Sequence, residues 1–202
     1  VAKEVDLRDV VVTKPNRLLA DGESLELNLG GVPVLIRHVG PAHKSSDVIV
    51  YLPGQKVLFA GDLVFNGLTP HITSRYEDAM RTYRYLESLD IDVVIPGHGD
   101  VTDKAHLVKT RKYFEMLYAI ARNGQAAGIP ALDAAKQADI GEYADWGLPG
   151  HMMVTLNILY QELSGALAGE SGPLVLRSVA EAVEVEEYWR AKGVNQPRQG
   201  EH

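Results

Sequence analysis

The stretch DVIVYLPGQKVLFAGD, residues 47–62, predicts a β hairpin with a functional group at its end. Its two apolar runs, Asp47–Leu52 and Lys56–Ala60, are separated by the Pro53-Gly54 turn, a pattern typical of paired strands. Both runs are apolar enough to predict strands that are covered on both faces. The second run leads directly into Gly61-Asp62, so the hairpin places a carboxylate where a strand ends.

Further strands are predicted on both sides of this hairpin. Leu25–Leu29 and Val32–Ile36 flank a Gly-Gly turn and predict an antiparallel pair, and Ile91–Ile95 predicts a third buried segment. Helical periodicity predicts an amphipathic helix over 74–89. Later helices are predicted at Lys104–Asn123, Ala131–Ala138, His151–Leu167 and Pro173–Lys192. Gly124 is expected to end the first of these. The last is expected to carry Val175, Val179, Val183 and Trp189 roughly on one side. This order favours an α/β fold in which a sheet is layered against helices.

Two more short motifs place histidines at strand ends. Gly40-Pro41-Ala42-His43 precedes the central hairpin, and Pro96-Gly97-His98-Gly99 follows the third predicted segment. Together with Asp62 they offer two imidazoles and one carboxylate, the neutral nitrogen and anionic oxygen ligands of a hydrolytic zinc or iron centre. Each motif alone is a common turn sequence, whereas all three in this order indicate a metal site.

From Leu25 to Leu163 the sequence resembles the metallo-β-lactamase superfamily of metal-dependent hydrolases, which includes glyoxalase II-like thioesterases, lactonases and β-lactamases. The resemblance rests on the order and local context of the three motifs. It implies that His43 is a metal ligand, that Asp62 bridges two metals and is the catalytic residue, and that His98 binds the second metal. It also implies an αββα sandwich and two divalent metal ions as cofactors, with zinc expected first and iron or manganese as alternatives.

The same resemblance implies a hydrolase. A carboxylate bridge would hold two cations close together, and a metal-bound hydroxide would attack the carbonyl of a small ester, thioester, lactone or amide substrate. Two alternatives stay open, namely a non-catalytic binding or assembly module on the same scaffold and a diiron oxidoreductase. Resemblance of fold alone does not separate these chemistries.

One signature of the family is missing from the sequence. The His-x-His-x-Asp-His motif, which supplies ligands to both metals in the family, does not occur, and the most closely spaced histidines, His38 and His43, are five residues apart. We therefore expect the second half of a sandwich, spanning residues 1–168, followed by a linker and a helical tail at 169–202. We also expect an N-terminal companion segment or a second copy of the chain to cover the apolar strands and complete the site.

The remaining candidate residues are given ordinary roles. A lone histidine seldom binds metal, so His38 is interpreted as a packed or surface residue and His106 as a solvated residue on a helix. His71 could line a substrate pocket but is interpreted as an ordinary loop residue, and His151 is interpreted as a packed residue near a helix start. Asp47 is interpreted either as a support that orients a metal ligand or as a simple cap at a strand start.

The composition argues against several other classes of function. A net charge of -7 argues against a nucleic-acid partner, because binding to a phosphate backbone requires a basic surface. No run approaches the ~20 apolar residues of a membrane span. The chain has no cysteine, so disulfides and thiolate metal ligands are excluded. These features predict a soluble cytoplasmic protein that acts on a small molecule and has no membrane partner.

Overall fold

A computed structural model describes residues 10–167 and 172–194, with side chains for all of these except 172–177. The strands are β1 (Ser24–Leu29), β2 (Val32–His38), β3 (Val48–Leu52), β4 (Val57–Phe65) and β5 (Val93–His98). They form a sheet in the order β1-β2-β3-β4-β5, in which neighbours are antiparallel except for the parallel pair β4 and β5. Both predicted hairpins are confirmed, and the third predicted segment forms β5.

The helices are α1 (Tyr76–Ser88), α2 (Lys104–Ala126), α3 (Ala131–Gln137), α4 (Met152–Leu163) and α5 (Gly172–Ala191). Glu77 and Asp78 lie in the first turn of α1, where the helix dipole favours negative charge. The side chain of Asp103 caps α2 by accepting a hydrogen bond from the backbone nitrogen of His106. None of the described helices is both long and apolar enough to cross a membrane.

Gly124 does not end α2 as the sequence predicts, since the helix continues to Ala126. A Cβ at Gly124 would lie 2.1 Å from the hydroxyl oxygen of Tyr160 on α4, so the missing side chain lets the two helices approach each other. The Tyr160 hydroxyl donates a 2.9 Å hydrogen bond to the carbonyl of Ile129, which holds the ring in this position. Gly124 is therefore a packing residue.

One face of the sheet is covered by helices. Ile49, Tyr51, Leu58, Ala60 and Val94 on this face are buried. They share a core with large side chains of the helices, among them Met80, Tyr83, Leu86, Leu107, Phe114, Leu117, Leu156 and Leu159. Burial of each large apolar side chain contributes about 1.5–3 kcal/mol, so this layer holds the sheet against the helices.

The opposite face of the sheet, called the open face here, is apolar, and the described residues leave most of it partly exposed, although Val34 is buried. The strand register places on it the side chains of Leu25, Leu27, Leu29, Val32, Val34, Ile36, Val48, Val50, Leu52, Val57, Phe59, Val93 and Ile95. Val48 and Phe59 are each 43% exposed. The prediction that the strands of the central hairpin are covered on both faces is therefore wrong within the described part of the chain.

Helix α5 packs against α4 and against the short turn Pro149–His151. Val185 and Trp189 are buried, whereas Val179 and Val183 are exposed, so the prediction that Trp189 shares a side with the two valines is wrong. The side chain of Val175 lies outside the described residues, as do 168–171 and 195–202. Most of the predicted linker falls there, and the division at residue 168 stays a prediction.

Candidate metal centre

Asp62 lies between the two histidines of the motifs. Its Oδ2 atom is 3.4 Å from Nε2 of His43, and its Oδ1 atom is 3.4 Å from Nε2 of His98. His98 is the last residue of β5, as predicted, whereas Asp62 lies within β4 and His43 lies in the loop between β2 and β3, so the prediction that these two residues are at strand ends is wrong. Because β4 and β5 run parallel, their C-terminal parts meet at one edge of the sheet. Each carboxylate oxygen thus faces a different imidazole.

The close approach of β4 and β5 at this edge requires a residue without a side chain. A Cβ at Gly97 would lie 2.1 Å from Oδ1 of Asp62 and 2.8 Å from its backbone nitrogen. The register of the two strands also shifts beside Gly61, and such irregularities redirect side chains near functional sites. The Pro-Gly-His motif therefore brings His98 beside the carboxylate without a steric clash.

The imidazole of His43 has a defined tautomer. Its Nδ1 atom lies 3.2 Å from the carbonyl oxygen of His71, which can only accept a hydrogen bond, so Nδ1 carries the proton. Burial lowers the pKa of His43, while the charge of Asp62 acts in the opposite direction. The neutral ring then presents the lone pair of Nε2 to the carboxylate. Metal-ligating histidines commonly have this arrangement, in which the other ring nitrogen donates to a carbonyl.

The loop that carries His43 is held by Asp47. One carboxylate oxygen of Asp47 accepts hydrogen bonds from the backbone nitrogens of Ala42, at 3.2 Å, and Lys44, at 3.0 Å. Burial raises the pKa of Asp47, and its backbone hydrogen bonds oppose this effect. The hydroxyl of Thr73 donates a 2.6 Å hydrogen bond to the carbonyl of His43. The interpretation of Asp47 as a support for the loop is therefore the better of the two.

The chemistry of the donors fits divalent metal ions, but the set is incomplete. Among the residues that the structure describes, no three side chains of His, Cys, Asp or Glu enclose a common point. Each oxygen of Asp62 pairs instead with one histidine, which gives two positions with two donors each. Zinc in proteins takes four ligands, one of them water or substrate in catalytic sites. The roles of His43, Asp62 and His98 as metal ligands stay predictions.

His98 is positioned by aromatic packing. The ring of Phe65 meets the ring of His98 edge-on at 4.5 Å between centroids. The carbonyl of Phe65 accepts a 2.8 Å hydrogen bond from Nε2 of His106, whose ring also packs near Trp146. The prediction that His106 is merely solvated is therefore wrong, because this side chain ties α2 to the end of β4.

His71 and His151 extend from the three motif residues toward α5. The ring of His71 lies 4.4 Å from that of His43 and 5.5 Å from that of His151. His151 donates from Nδ1 to the carbonyl of Thr69 at 3.1 Å. Burial lowers the pKa of His71 to about 3, with smaller contributions from His43 and His151. The interpretation of His71 as an ordinary loop residue is wrong, since it connects the candidate centre with the lining of a cavity.

His38 has the ordinary role that the sequence predicts. It is buried at the end of β2, and its Nε2 atom lies 3.2 Å from the carbonyl oxygen of Ser45. Its Nδ1 atom lies 3.4 Å from a carboxylate oxygen of Asp21. His38 is thus a packed residue, and its interpretation is confirmed.

Comparison with known proteins places the motifs in a family. The family model of the metallo-beta-lactamase superfamily matches residues 11–98, which include His43, Asp62 and His98. The predicted resemblance to this superfamily is therefore confirmed over residues 11–98. A curated relative, 2,4-dinitroanisole O-demethylase subunit alpha of Nocardioides sp. (strain JS1661), is 29% identical over 126 residues. The alignment covers 61% of this chain and 36% of that protein, so the chain spans little more than a third of the relative's length.

Solved structures share the fold. A stereoselective inverting sec-alkylsulfatase from Pseudomonas sp. is similar with a TM-score of 0.58 and 23% identity, over 80% of this chain and 28% of that chain. A metallo-beta-lactamase family protein from Thermus thermophilus is similar with a TM-score of 0.51 and 20% identity, over 74% of this chain and 50% of that chain. At these identities the likeness concerns the fold alone. The predicted α/β fold class is confirmed.

Proposed function

We propose that this protein is a metal-dependent hydrolase whose reaction takes place at Asp62. The observation that carries the proposal is the position of Asp62, with each carboxylate oxygen 3.4 Å from a different imidazole nitrogen. A carboxylate that bridges two divalent cations needs its oxygens arranged in this way. The match of residues 11–98 to the family model of the metallo-beta-lactamase superfamily supports the same chemistry.

The roles of the residues follow from their donor atoms. His43 and His98 would each hold one divalent ion and Asp62 would hold both, with zinc expected first and iron or manganese as alternatives. Ions bound there would lower the pKa of water toward neutrality and polarise a substrate carbonyl. The hydrogen bond from His43 to the carbonyl of His71 would keep the imidazole in its ligand tautomer during turnover.

A second layer is needed to complete such a centre. We propose that a companion polypeptide segment, which carries the missing histidine motif on a second β-sheet, covers the open face. Contiguous apolar patches of this extent are rare on the free surface of a soluble protein. The side chains of Asp62 and His98 are 41% and 52% exposed, so ligands from another layer can reach them. The alternative to a companion segment is a second copy of this chain that covers the open face.

The substrate class is set by the same chemistry. We propose a small ester, thioester, lactone or amide, because a polarised carbonyl is the group that a metal-activated water attacks. The name of the Nocardioides relative refers to removal of a methyl group from the aryl ether 2,4-dinitroanisole. An aryl methyl ether therefore joins the substrates to be tested.

The proposal is tested by measuring bound zinc and turnover together in the full chain with any polypeptide that co-purifies. The substrates are a nitrophenyl ester, a thioester, a lactone, an anilide and 2,4-dinitroanisole. His98→Ala should lose zinc and reduce turnover by about 100-fold or more, because it removes an exposed ligand. Asp92→Asn is the matched control, since Asp92 is exposed at the opposite end of β5.

Each outcome of this test separates the hypotheses. Loss of turnover in His98→Ala but not in Asp92→Asn supports the hydrolase. Bound zinc without turnover on any substrate would favour a binding module, and iron with redox activity would favour the diiron oxidoreductase. Full turnover in His98→Ala would contradict the assigned site.

A further inference from the structure

A cavity of about 390 Å³ lies between α5, the turn at 148–151 and the start of α4. Its walls are mainly apolar and include Leu148, Val154, Val179 and Val183. The volume is at the lower end of the ~300–1,000 Å³ found for small-molecule pockets, which suits one or two fused aromatic rings or an alkyl group of similar size.

The apolar wall on α5 is exposed to solvent. Val179 and Val183, one helical turn apart, are 56% and 57% exposed, whereas Val185 and Trp189 are buried on the other side of the helix. Leu148 forms the facing rim in a left-handed backbone conformation, with φ 57° and ψ 51°, which residues with a Cβ seldom adopt. Apolar side chains that are exposed inside a concave surface typically mark a ligand site.

The cavity is built into the fold by close packing of α5. A Cβ at Gly150 would lie 2.2 Å from the carbonyl oxygen of Ala182, so α5 rests directly on the turn. The backbone nitrogen of Gly150 also donates a 3.0 Å hydrogen bond to Glu186. These contacts fix the distance between the helix and the turn, so the pocket exists before any ligand arrives.

The inner end of the cavity adjoins the candidate metal centre. His71 and His151 line the cavity, and the ring of His71 lies 4.4 Å from the ring of His43. Nδ1 of His71 is buried and has no hydrogen-bond partner among the described residues. Buried polar atoms are normally paired, so this nitrogen is an unsatisfied polar group behind the wall of the pocket.

We propose that this cavity binds the apolar part of the substrate, an uncharged aromatic or alkyl group, with His71 at its inner end beside the candidate metal centre. The outer rim carries Glu186, Glu187 and Arg190, which gives a net negative charge and disfavours an anionic carrier group. That the bound molecule is a substrate rests on the proposed hydrolase function. That the cavity binds an apolar molecule does not depend on this function.

The experiment measures binding by calorimetry with two probes, neutral 2-naphthol and anionic 2-naphthoate, on zinc-free protein. Wild type should bind 2-naphthol at least ten times more tightly than 2-naphthoate. Val183→Trp fills the cavity from an exposed position and should weaken 2-naphthol binding at least tenfold. Ala180→Trp is the control, because Ala180 is exposed on the same helix but does not line the cavity. Val183→Asp, which adds charge without bulk, should weaken binding in the same direction.

Failure of this inference can be distinguished from failure of the proposed function. Probe binding that Val183→Trp removes, in a protein without turnover, would support the cavity and contradict the hydrolase. Equal binding of 2-naphthol by wild type, Val183→Trp and Val183→Asp, or tighter binding of 2-naphthoate, would overturn the assignment of the cavity whatever the turnover.

Discussion

The Oδ2 atom of Asp62 lies 3.4 Å from Nε2 of His43. Because Nδ1 of the same ring donates its proton to a carbonyl, Nε2 presents a lone pair to an anionic oxygen. Such a contact is repulsive unless a proton or a metal ion lies between the two atoms. The local hydrogen bonds therefore prepare this pair of residues for a positive ion, which agrees with the proposed metal centre.

Replacement of Asp62 should separate metal binding from folding. Asp62→Ala removes both donor oxygens, and Asp62→Asn leaves a neutral amide that bridges two cations poorly, so turnover should fall by about 100-fold or more in each. The free energy of unfolding of the zinc-free protein should change by about 0.5 kcal/mol or less, because Asp62 is partly exposed. Zinc analysis, initial rates and urea unfolding provide the measurements. Near wild-type turnover with normal zinc in either variant would contradict the bridging role.

Asp47 should affect the metal without touching it. Asp47→Ala frees the backbone nitrogens of Ala42 and Lys44 on either side of His43, so the loop loses the contacts that position the imidazole. We expect zinc affinity to fall by about 10–100-fold, as for other residues that orient metal ligands. Competition with a chelating dye measures this affinity. Unchanged zinc affinity in Asp47→Ala would show that the loop keeps its position without the carboxylate.

The zinc-free protein should lose stability in mild acid because of His71. Burial lowers the pKa of His71 to about 3, whereas an unfolded histidine has a pKa near 6.5. Between these values the unfolded chain binds the proton and the folded protein does not, so the free energy of unfolding falls as pH decreases from 6.5 toward 3. The slope from this residue is at most about 1.4 kcal/mol per pH unit. Urea unfolding at pH 7, 6 and 5 measures it, and His71→Gln should give a flatter dependence. Equal slopes in both proteins would contradict the assignment.

The open face should control assembly. If a companion sheet covers this face, Phe59→Glu should release it, because Phe59 lies in the middle of the apolar surface. Mass-resolved light scattering should then show the 22.1 kDa chain alone. Val183→Glu, an exposed valine on the helical side, is the control and should leave the complex intact. A wild-type mass of twice the chain would indicate a second copy. A wild-type monomer with full zinc and turnover would contradict the need for a second layer.

The strands and the three motif residues could be predicted because their signals are local. Alternating or continuous apolar runs beside Gly-Gly and Pro-Gly turns predict paired strands directly, and both hairpins are confirmed. The same signals predicted His43, Asp62 and His98 at strand ends, which is correct for His98 alone, because β2 ends at His38 and β4 continues to Phe65. The sequence does not show which face of the sheet is covered by a second layer. The apolar runs around Val48 and Phe59 have a pattern that fits both a sheet covered by a second layer and a sheet without one.

The contacts around the candidate centre depend on residues that are far apart in the chain. The carbonyl of His71 accepts from His43 across 28 residues, and His151 donates to Thr69 across 82 residues. A lone histidine in a loop gives no sign of such a contact. Gly124 likewise resembles a helix stop until Tyr160 is placed beside it. These features arise from tertiary packing, which overrides the local signal.

The most direct test of the central claim is an anomalous difference map, recorded at the zinc absorption edge, from crystals of the zinc-loaded protein with whatever chain co-purifies. We expect two peaks beside Asp62, one within about 2.0–2.2 Å of Nε2 of His43 and the other at the same distance from Nε2 of His98. Each peak should also lie at that distance from a different oxygen of Asp62. Zinc bound elsewhere, or a fully loaded crystal in which Asp62 contacts no metal, would contradict the account.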